Sequence, residues 1–200
     1  MDADSDAAVI AASLEEPARF GEIFDRHATV LYRYLVRRLG PDEAEAMVGD
    51  TFRIAFERRH TYDVHRPLAR PWLYGIATNL VAKHRRGEAR RLRAVARLAA
   101  DRVAAADFTD HITGELDAAD VWPLVVDAVT NLPEPERDAL VLHVWEGLSY
   151  EDVAHALDVP IGTVRSRLHR ARERLRGLPV GYGREDIEPT RCGDPGKIRS

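Results

Sequence analysis

Cysteine is almost missing from this 200-residue chain: Cys192 stands alone. A single thiol excludes an intramolecular disulfide and any cysteine-cluster metal site. No apolar run approaches the ~18 residues that a membrane-spanning helix needs. The start, Met-Asp-Ala-Asp-Ser-Asp, lacks the basic and apolar stretch of a secretory signal, so a cytoplasmic protein is expected. Strand-type alternation occurs nowhere, and Gly-x-x-x-x-Gly-Lys, Gly-x-Ser-x-Gly and His-Glu-x-x-His are all absent. With its eight histidines scattered, the chain is not expected to be an enzyme or to carry a cofactor or metal. An overall basic excess is lacking too: the formal net charge is −4, against the usual balance of a nucleic-acid binder.

What is present is a strong segregation of charge. Residues 1–18 hold five acids and no base. Residues 61–97 hold nine bases against two acids, and residues 98–139 hold ten acids against two bases. A second basic patch follows Ile161, where six arginines face only Glu173. Such asymmetry points to partners better than net charge does. The acidic 98–139 stretch has two readings, a linker that mimics nucleic acid or a solvated spacer held extended by its charge.

The apolar spacing is helical throughout. Phe20 to Leu39 has a period near 3.6 and stops at Gly40. Pro41, Asp42 and Glu43 start a second helix to about residue 59, with proline and acids in its first turn. Residues 60–70 lack a period and form a loop. Pro71 opens a third helix that becomes strongly basic after Val81, through Lys83, Arg85, Arg86 and the Arg90–Arg97 run. Two further helices are expected over Val121–Leu132 and Pro133–Trp145, the latter closed by Gly147. Ser149 and Asp152 form a capping box for a short helix through Leu157, and Thr163–Arg176 is the last helix. The fold class is all-α, in two small helical domains joined by a flexible linker. The boundaries are an acidic frayed tail over 1–17, domains over 18–98 and 120–177, a linker over 99–119 and a flexible tail over 178–200.

The short capped helix, tight turn and last helix make a helix-turn-helix candidate. Val164, Leu168, Ala171 and Leu175 share one face, which docks the helix. Arg165, Ser166, Arg167, His169 and Arg170 fall elsewhere in its first turns, the part that enters a major groove. Arginine can pair bidentately with guanine, and Arg172, Arg174 and Arg176 further along suit phosphates. Helical spacing alone leaves open a solvated basic face on an ordinary helix hairpin.

Leu132-Pro133-Glu134, the run Glu146 to Ala154 and the run Gly162 to Arg172 resemble region 4 of extracytoplasmic-function (ECF) sigma factors of bacterial RNA polymerase. Phe20 to Leu39, Asp42-Glu43-Ala44-Glu45, Thr51-Phe52 and Pro71 to Asn79 resemble region 2 of the same family. The two matches stand in family order. A free-standing helix-turn-helix regulator, the alternative, explains only the region 4 match.

The resemblance implies a sigma factor that binds core RNA polymerase, recognises the −35 and −10 promoter elements and promotes melting. It implies −35 contacts from Thr163, Arg165, Ser166, Arg167, His169 and Arg170. For −10 capture and melting it implies Tyr62, His65, Arg66, Trp72, Tyr74 and Asn79, with Lys83, Arg85 and Arg86 on phosphates. Trp72 has a second reading as a packing residue. Core binding, to the β′ clamp coiled coil and the β flap, is implied for the 41–59 helix through Asp42, Glu43, Glu45, Met47, Val48, Asp50 and Phe52. There this chain departs from the family pattern: Ala46 replaces the second aspartate, and Gly49 replaces a glutamine. The departures imply weaker or shifted core contacts. An anti-sigma factor is a further implied partner.

Overall fold

A computed structural model describes residues 5–100 and 127–176, with side chains described outside 94–100. Every regular element among the described residues is helical.

The first helix, α1 (Asp6–Ala12), lies where the sequence suggests a frayed tail. Ser5 caps it by accepting the Ala8 N–H at 3.2 Å, and Ala7, Val9 and Ile10 are buried. Acidic composition conceals this helix, because it is held by an apolar face of only three residues. A short 3₁₀ turn (Pro17–Phe20) leads into α2 (Gly21–Leu39). Gly40, with φ +93°, ends α2 and turns the chain into Pro41, the first residue of α3 (Pro41–Arg58). Only glycine adopts that backbone without strain, and proline at the first helical position loses no hydrogen bond. A 3₁₀ turn (Arg59–Thr61) and a loop to Ala69 then deliver α4 (Arg70–Ala100), about 46 Å long at 1.5 Å per residue.

Helices α1–α4 share a core of Ile10, Ile23, Leu31, Tyr34, Leu35, Ala44, Phe52, Leu73, Tyr74 and Val81. Ring pairs lock the crossings: Tyr34 meets Tyr74 edge-on at 5.1 Å, and Phe24 meets Phe52 at 4.8 Å. The Tyr34 hydroxyl and the Thr78 hydroxyl share a hydrogen bond of 2.8 Å, so neither buried polar group is orphaned.

The second lobe begins, in the described residues, with the helical stretch 127–130. Helix α5 (Glu134–Leu140) follows and runs into a π-helical turn over Val141–Trp145. In that turn the Glu146 N–H reaches back five residues to the Val141 carbonyl at 3.1 Å. Gly147, at φ +68°, then breaks the helix. Ser149 is the cap expected of it: its Oγ accepts the Asp152 N–H at 3.1 Å, donates to Asp152 Oδ2 at 2.7 Å and heads α6 (Tyr150–Ala156). Asp158, at φ +51°, makes the turn into α7 (Ile161–Leu175); a short polar side chain tolerates that conformation. The expected stripe of Val164, Leu168, Ala171 and Leu175 is buried. Residues 101–126, which include most of the expected linker and the start of the expected 121–132 helix, lie outside the described residues. So does the 178–200 tail with Cys192.

The two lobes touch directly. At Gly75 of α4 an added Cβ would stand 2.5 Å from the Ala156 carbonyl oxygen at the end of α6. Glu146, delivered by the π turn, is 6% exposed and takes a hydrogen bond from Tyr74 and an ion pair from Arg37. Arg70 donates to the Glu146 carbonyl oxygen at 2.7 Å. Beside this, Asp138 pairs with the buried Arg38.

Candidate nucleic-acid interface

The first candidate surface is the N-terminal half of α7. With the apolar stripe turned inward, Arg165, Ser166, His169 and Arg170 are exposed, and Thr163 and Arg167 are half-buried. Ser166 Oγ donates to the Thr163 carbonyl at 2.9 Å, a bond that a base edge can replace. Arg170 is partly committed: its Nε donates to Glu136 at 3.1 Å, leaving its terminal nitrogens for DNA. Arg174, expected on a phosphate, pairs with the same Glu136 at 2.9 Å. Arg176 pairs with Glu173. The basic face is therefore continuous in sequence but graded in availability, and freest at its N-terminal end.

The second surface surrounds the 59–69 loop and the start of α4. His65 is exposed, and its N–H donates to Asp63 Oδ1 at 3.0 Å in a local turn. Arg66 is half-buried and lines an open cleft shared with His155, Asp158 and Ile161 of the second lobe. Asn79 and Lys83 are exposed on α4, as are Arg86, Arg90, Arg91 and Arg93. Two apolar residues that the sequence reading passed over, Val64 (42% exposed) and Leu68 (63%), stand out of the loop. Their exposure comes from a loop without periodicity, which is why no pattern marks them.

Four residues expected at this surface sit otherwise. Tyr62 is 7% exposed, its ring lies 5.1 Å from that of Trp72, and its hydroxyl donates to the Arg66 carbonyl at 2.6 Å. Burial pushes that hydroxyl's pKa well up. Trp72 is half-buried and packs, as its second reading holds. Tyr74 is fully buried, between Tyr34 and Glu146, and burial followed by the Glu146 hydrogen bond raises its pKa as well. Arg85 donates to the Arg38 carbonyl at 2.7 Å, which closes the C-terminal end of α2. These aromatic and basic groups are used by packing between elements, which sequence-local chemistry does not reveal.

On α3, Asp42 and Glu45 are exposed and Glu43, Met47 and Asp50 half-buried. Val48 and Phe52, expected on the polymerase-facing side, are instead 8% and 6% exposed and belong to the core. The physical reason is that α3 has one apolar stripe, and α2 covers it. Phe24, at 45% exposure, carries the aromatic surface beside them. Glu136 and Asp138, read as part of the acidic 98–139 stretch, depart from expectation, and Glu146 joins them. They face arginines inside and between the lobes, not water or a partner.

A family profile described as Sigma-70 region 2 matches residues 23–91, and one described as Sigma-70, region 4 matches residues 124–175. The chain is 34% identical over 154 residues to the ECF RNA polymerase sigma-E factor of Haemophilus influenzae, covering 74% of this chain and 78% of that one. It is 32% identical over 172 residues to the ECF RNA polymerase sigma factor SigL of Mycobacterium tuberculosis, covering 85% and 94%. Among solved structures it is similar to the sigma factor RpoE of Bartonella quintana, in complex with the anti-sigma factor NepR. That likeness has a TM-score of 0.57 at 27% identity and covers 80% of this chain and 95% of that one. With both regions in family order on one all-helical chain, and relatives matched along most of their length, the protein belongs to the ECF sigma factors of RNA polymerase.

Proposed function

We propose that the work of this sigma factor is divided between two surfaces. The exposed N-terminal half of α7 reads the −35 element, and the 59–69 loop with Asn79 captures and holds the opened −10 strand. The observation that carries the reading is α7 itself. Its apolar stripe is docked, its start follows the tight turn at Asp158, and Arg165, Ser166, His169 and Arg170 are exposed. Major-groove readers need that combination of a fixed helix and free side chains at its N-terminal end. Lys83 and Arg86 add salt-dependent phosphate contacts. The exposed acids of α3, with Phe24 and Met47 nearby, repel DNA and suit a protein surface on core polymerase.

The protein performs no covalent chemistry and works beside polymerase in the cytoplasm. Among the described residues no helix is long and apolar enough to cross a membrane. Because the Bartonella quintana relative is held by an anti-sigma factor, a similar protein partner is proposed here. Reconstitution tests the division: core polymerase with this protein transcribes genomic DNA from discrete start sites. Arg165→Ala and Arg170→Ala then weaken −35 recognition selectively, by about five- to 150-fold for a lost bidentate base contact. Asn79→Ala slows opening and leaves −35 binding intact. Transcription no better than core alone rejects the reading.

A further inference from the structure

The 59–69 loop is attached at both ends to a helix outside either matched region. At its start, Arg59 Nε donates to the Ser13 carbonyl at 3.3 Å, just past the C-terminal end of α1. At its end, the Ala69 N–H donates to Asp6 Oδ2 at 2.9 Å, in the first turn of α1. The two attachment points are seven residues apart along α1, about 10 Å at helical rise. Asp6 is not a surface acid. It is 5% exposed, and besides Ala69 it receives His27 Nε2 at 2.8 Å and Arg26 Nη1 at 3.2 Å. Burial alone would raise its pKa, but the His27, Ala69 and Arg26 bonds outweigh it, so the carboxyl is held below its ordinary value and stays ionised.

The position of Ala69 matters. It is the residue before α4, and its carbonyl takes the Leu73 N–H at 3.0 Å. The Asp6 carboxylate therefore places negative charge at the positive end of a 31-residue helix while holding its first free N–H. Within the loop, Tyr62 is tied to the Arg66 carbonyl and packs on the Trp72 ring, which adds a third restraint between the two ends. His65, Arg66, Val64 and Leu68 are presented between the two anchors.

We propose that α1 is a brace for the strand-capturing loop, and that Asp6 and Arg59 are positioning residues for −10 recognition and melting. Neither touches DNA. Each fixes one end of the loop at a set distance, so that the loop need not be ordered when a base is captured. Preorganisation of this kind lowers the entropic cost of binding. The proposal rests on the reading of the 59–69 loop as the −10 surface.

The test uses holoenzyme reconstituted from core polymerase and full-length protein, on a promoter mapped by its transcripts. Opening is followed by permanganate reactivity, on the native promoter and on versions with single −10 bases replaced. Asp6→Ala slows opening about tenfold, the factor matching loss of one charge-assisted hydrogen bond, and flattens discrimination among the −10 versions. Core affinity and −35 binding stay within about twofold, as expected for a site that touches neither partner. Asp6→Asn, which keeps an acceptor for the Ala69 N–H, restores most of the discrimination. Hydrogen exchange on the free protein gives an independent readout: in Asp6→Ala the amides of 62–70 exchange faster, while those of α2 and α3 do not.

Parallel loss of core affinity and opening, or exchange that quickens equally through α2 and α3, shows that Asp6 merely holds the fold and overturns the brace. Unchanged opening and discrimination in Asp6→Ala overturns it too. His65→Ala and Arg66→Ala separate the two claims. If they lose −10 discrimination and Asp6→Ala does not, the brace alone falls. If they retain it, the loop reading falls and takes the brace with it.

Discussion

Gly75 and His155 show how single residues record the contact between the lobes. A Cβ at Gly75 would stand 2.5 Å from a backbone oxygen of α6, which cannot swing away as a side chain can. Gly75→Ala should therefore force α4 and α6 apart and weaken the lobe contact by about 1–3 kcal/mol, the usual cost of overpacking. A lower first unfolding transition in calorimetry, with region-4 helicity retained, would bear this out; an unshifted transition would refute it. His155, on α6, has its pKa lowered, first by burial and then by Arg66 of the opposite lobe, against the pull of Asp63, Asp152 and Asp158. A base whose folded pKa lies below its unfolded value adds stability above the unfolded value, near 6.5. That stability is lost as pH falls through the mid-sixes towards the folded value. NMR titration of the His155 ring should give a midpoint below that of a free histidine, and Arg66→Ala should raise it. A midpoint unmoved by Arg66→Ala would mean that the loop and α6 are apart in solution.

At the scale of elements, the helix-turn-helix is held by local chemistry, and local chemistry is what a sequence displays. Ser149→Ala removes the cap that accepts the Asp152 N–H and should cost about 1 kcal/mol, read from the urea midpoint of the second lobe. No change in midpoint would show that tertiary packing alone fixes the start of α6. The Ser149 cap, the stripe from Val164 to Leu175 and the break at Gly147 were all legible for the same reason: each depends on residues within a turn or two. Phe52 and Tyr74 were not legible as core. An aromatic beside charged residues reads equally well as a partner surface until the covering helix is known. Asp6 was hidden more deeply. Its partners, His27 and Ala69, lie 21 and 63 residues away, so nothing in an acidic N-terminal stretch marks one carboxylate as buried. The π turn was also invisible, since Pro133 to Trp145 has an unbroken helical period. Its consequence is large: it sets where Glu146 points.

For the whole molecule, the net charge of −4 conceals a neutralisation between lobes. Glu146 meets Arg37, Arg70 and Tyr74; Asp138 meets Arg38; Glu134 lies 3.5 Å from Arg86. All of these first-lobe partners belong to α2 or α4, so in this arrangement the second lobe sits across the end of α2 and the first half of α4. Promoter elements named −35 and −10 lie about 25 base pairs apart, some 85 Å along duplex DNA at 3.4 Å per pair. Reading both at once calls for the 59–69 loop and α7 to stand that far apart. Under the proposed division the lobes are therefore expected to separate when a promoter is engaged, and Glu146, buried between them, is placed to resist that. It is 6% exposed, and removing it leaves the buried Tyr74 hydroxyl without an acceptor. Glu146→Ala should thus cost the closed arrangement about 1–3 kcal/mol, shifting its balance with open forms by roughly five- to 150-fold. Because the carboxylate is shielded, added salt should mimic the substitution poorly, whereas it should readily weaken the exposed Arg86 pair. Energy transfer between dyes at the exposed Arg53 of α3 and Glu173 of α7 follows the distance directly. Efficiency should fall in Glu146→Ala and fall less in Glu146→Gln, which can still accept from Tyr74. It should change little between 50 and 300 mM salt in the parent protein, a range over which exposed pairs are progressively screened. Equal efficiency in all three proteins would mean that apolar packing around Gly75, not the Glu146 cluster, holds the lobes together.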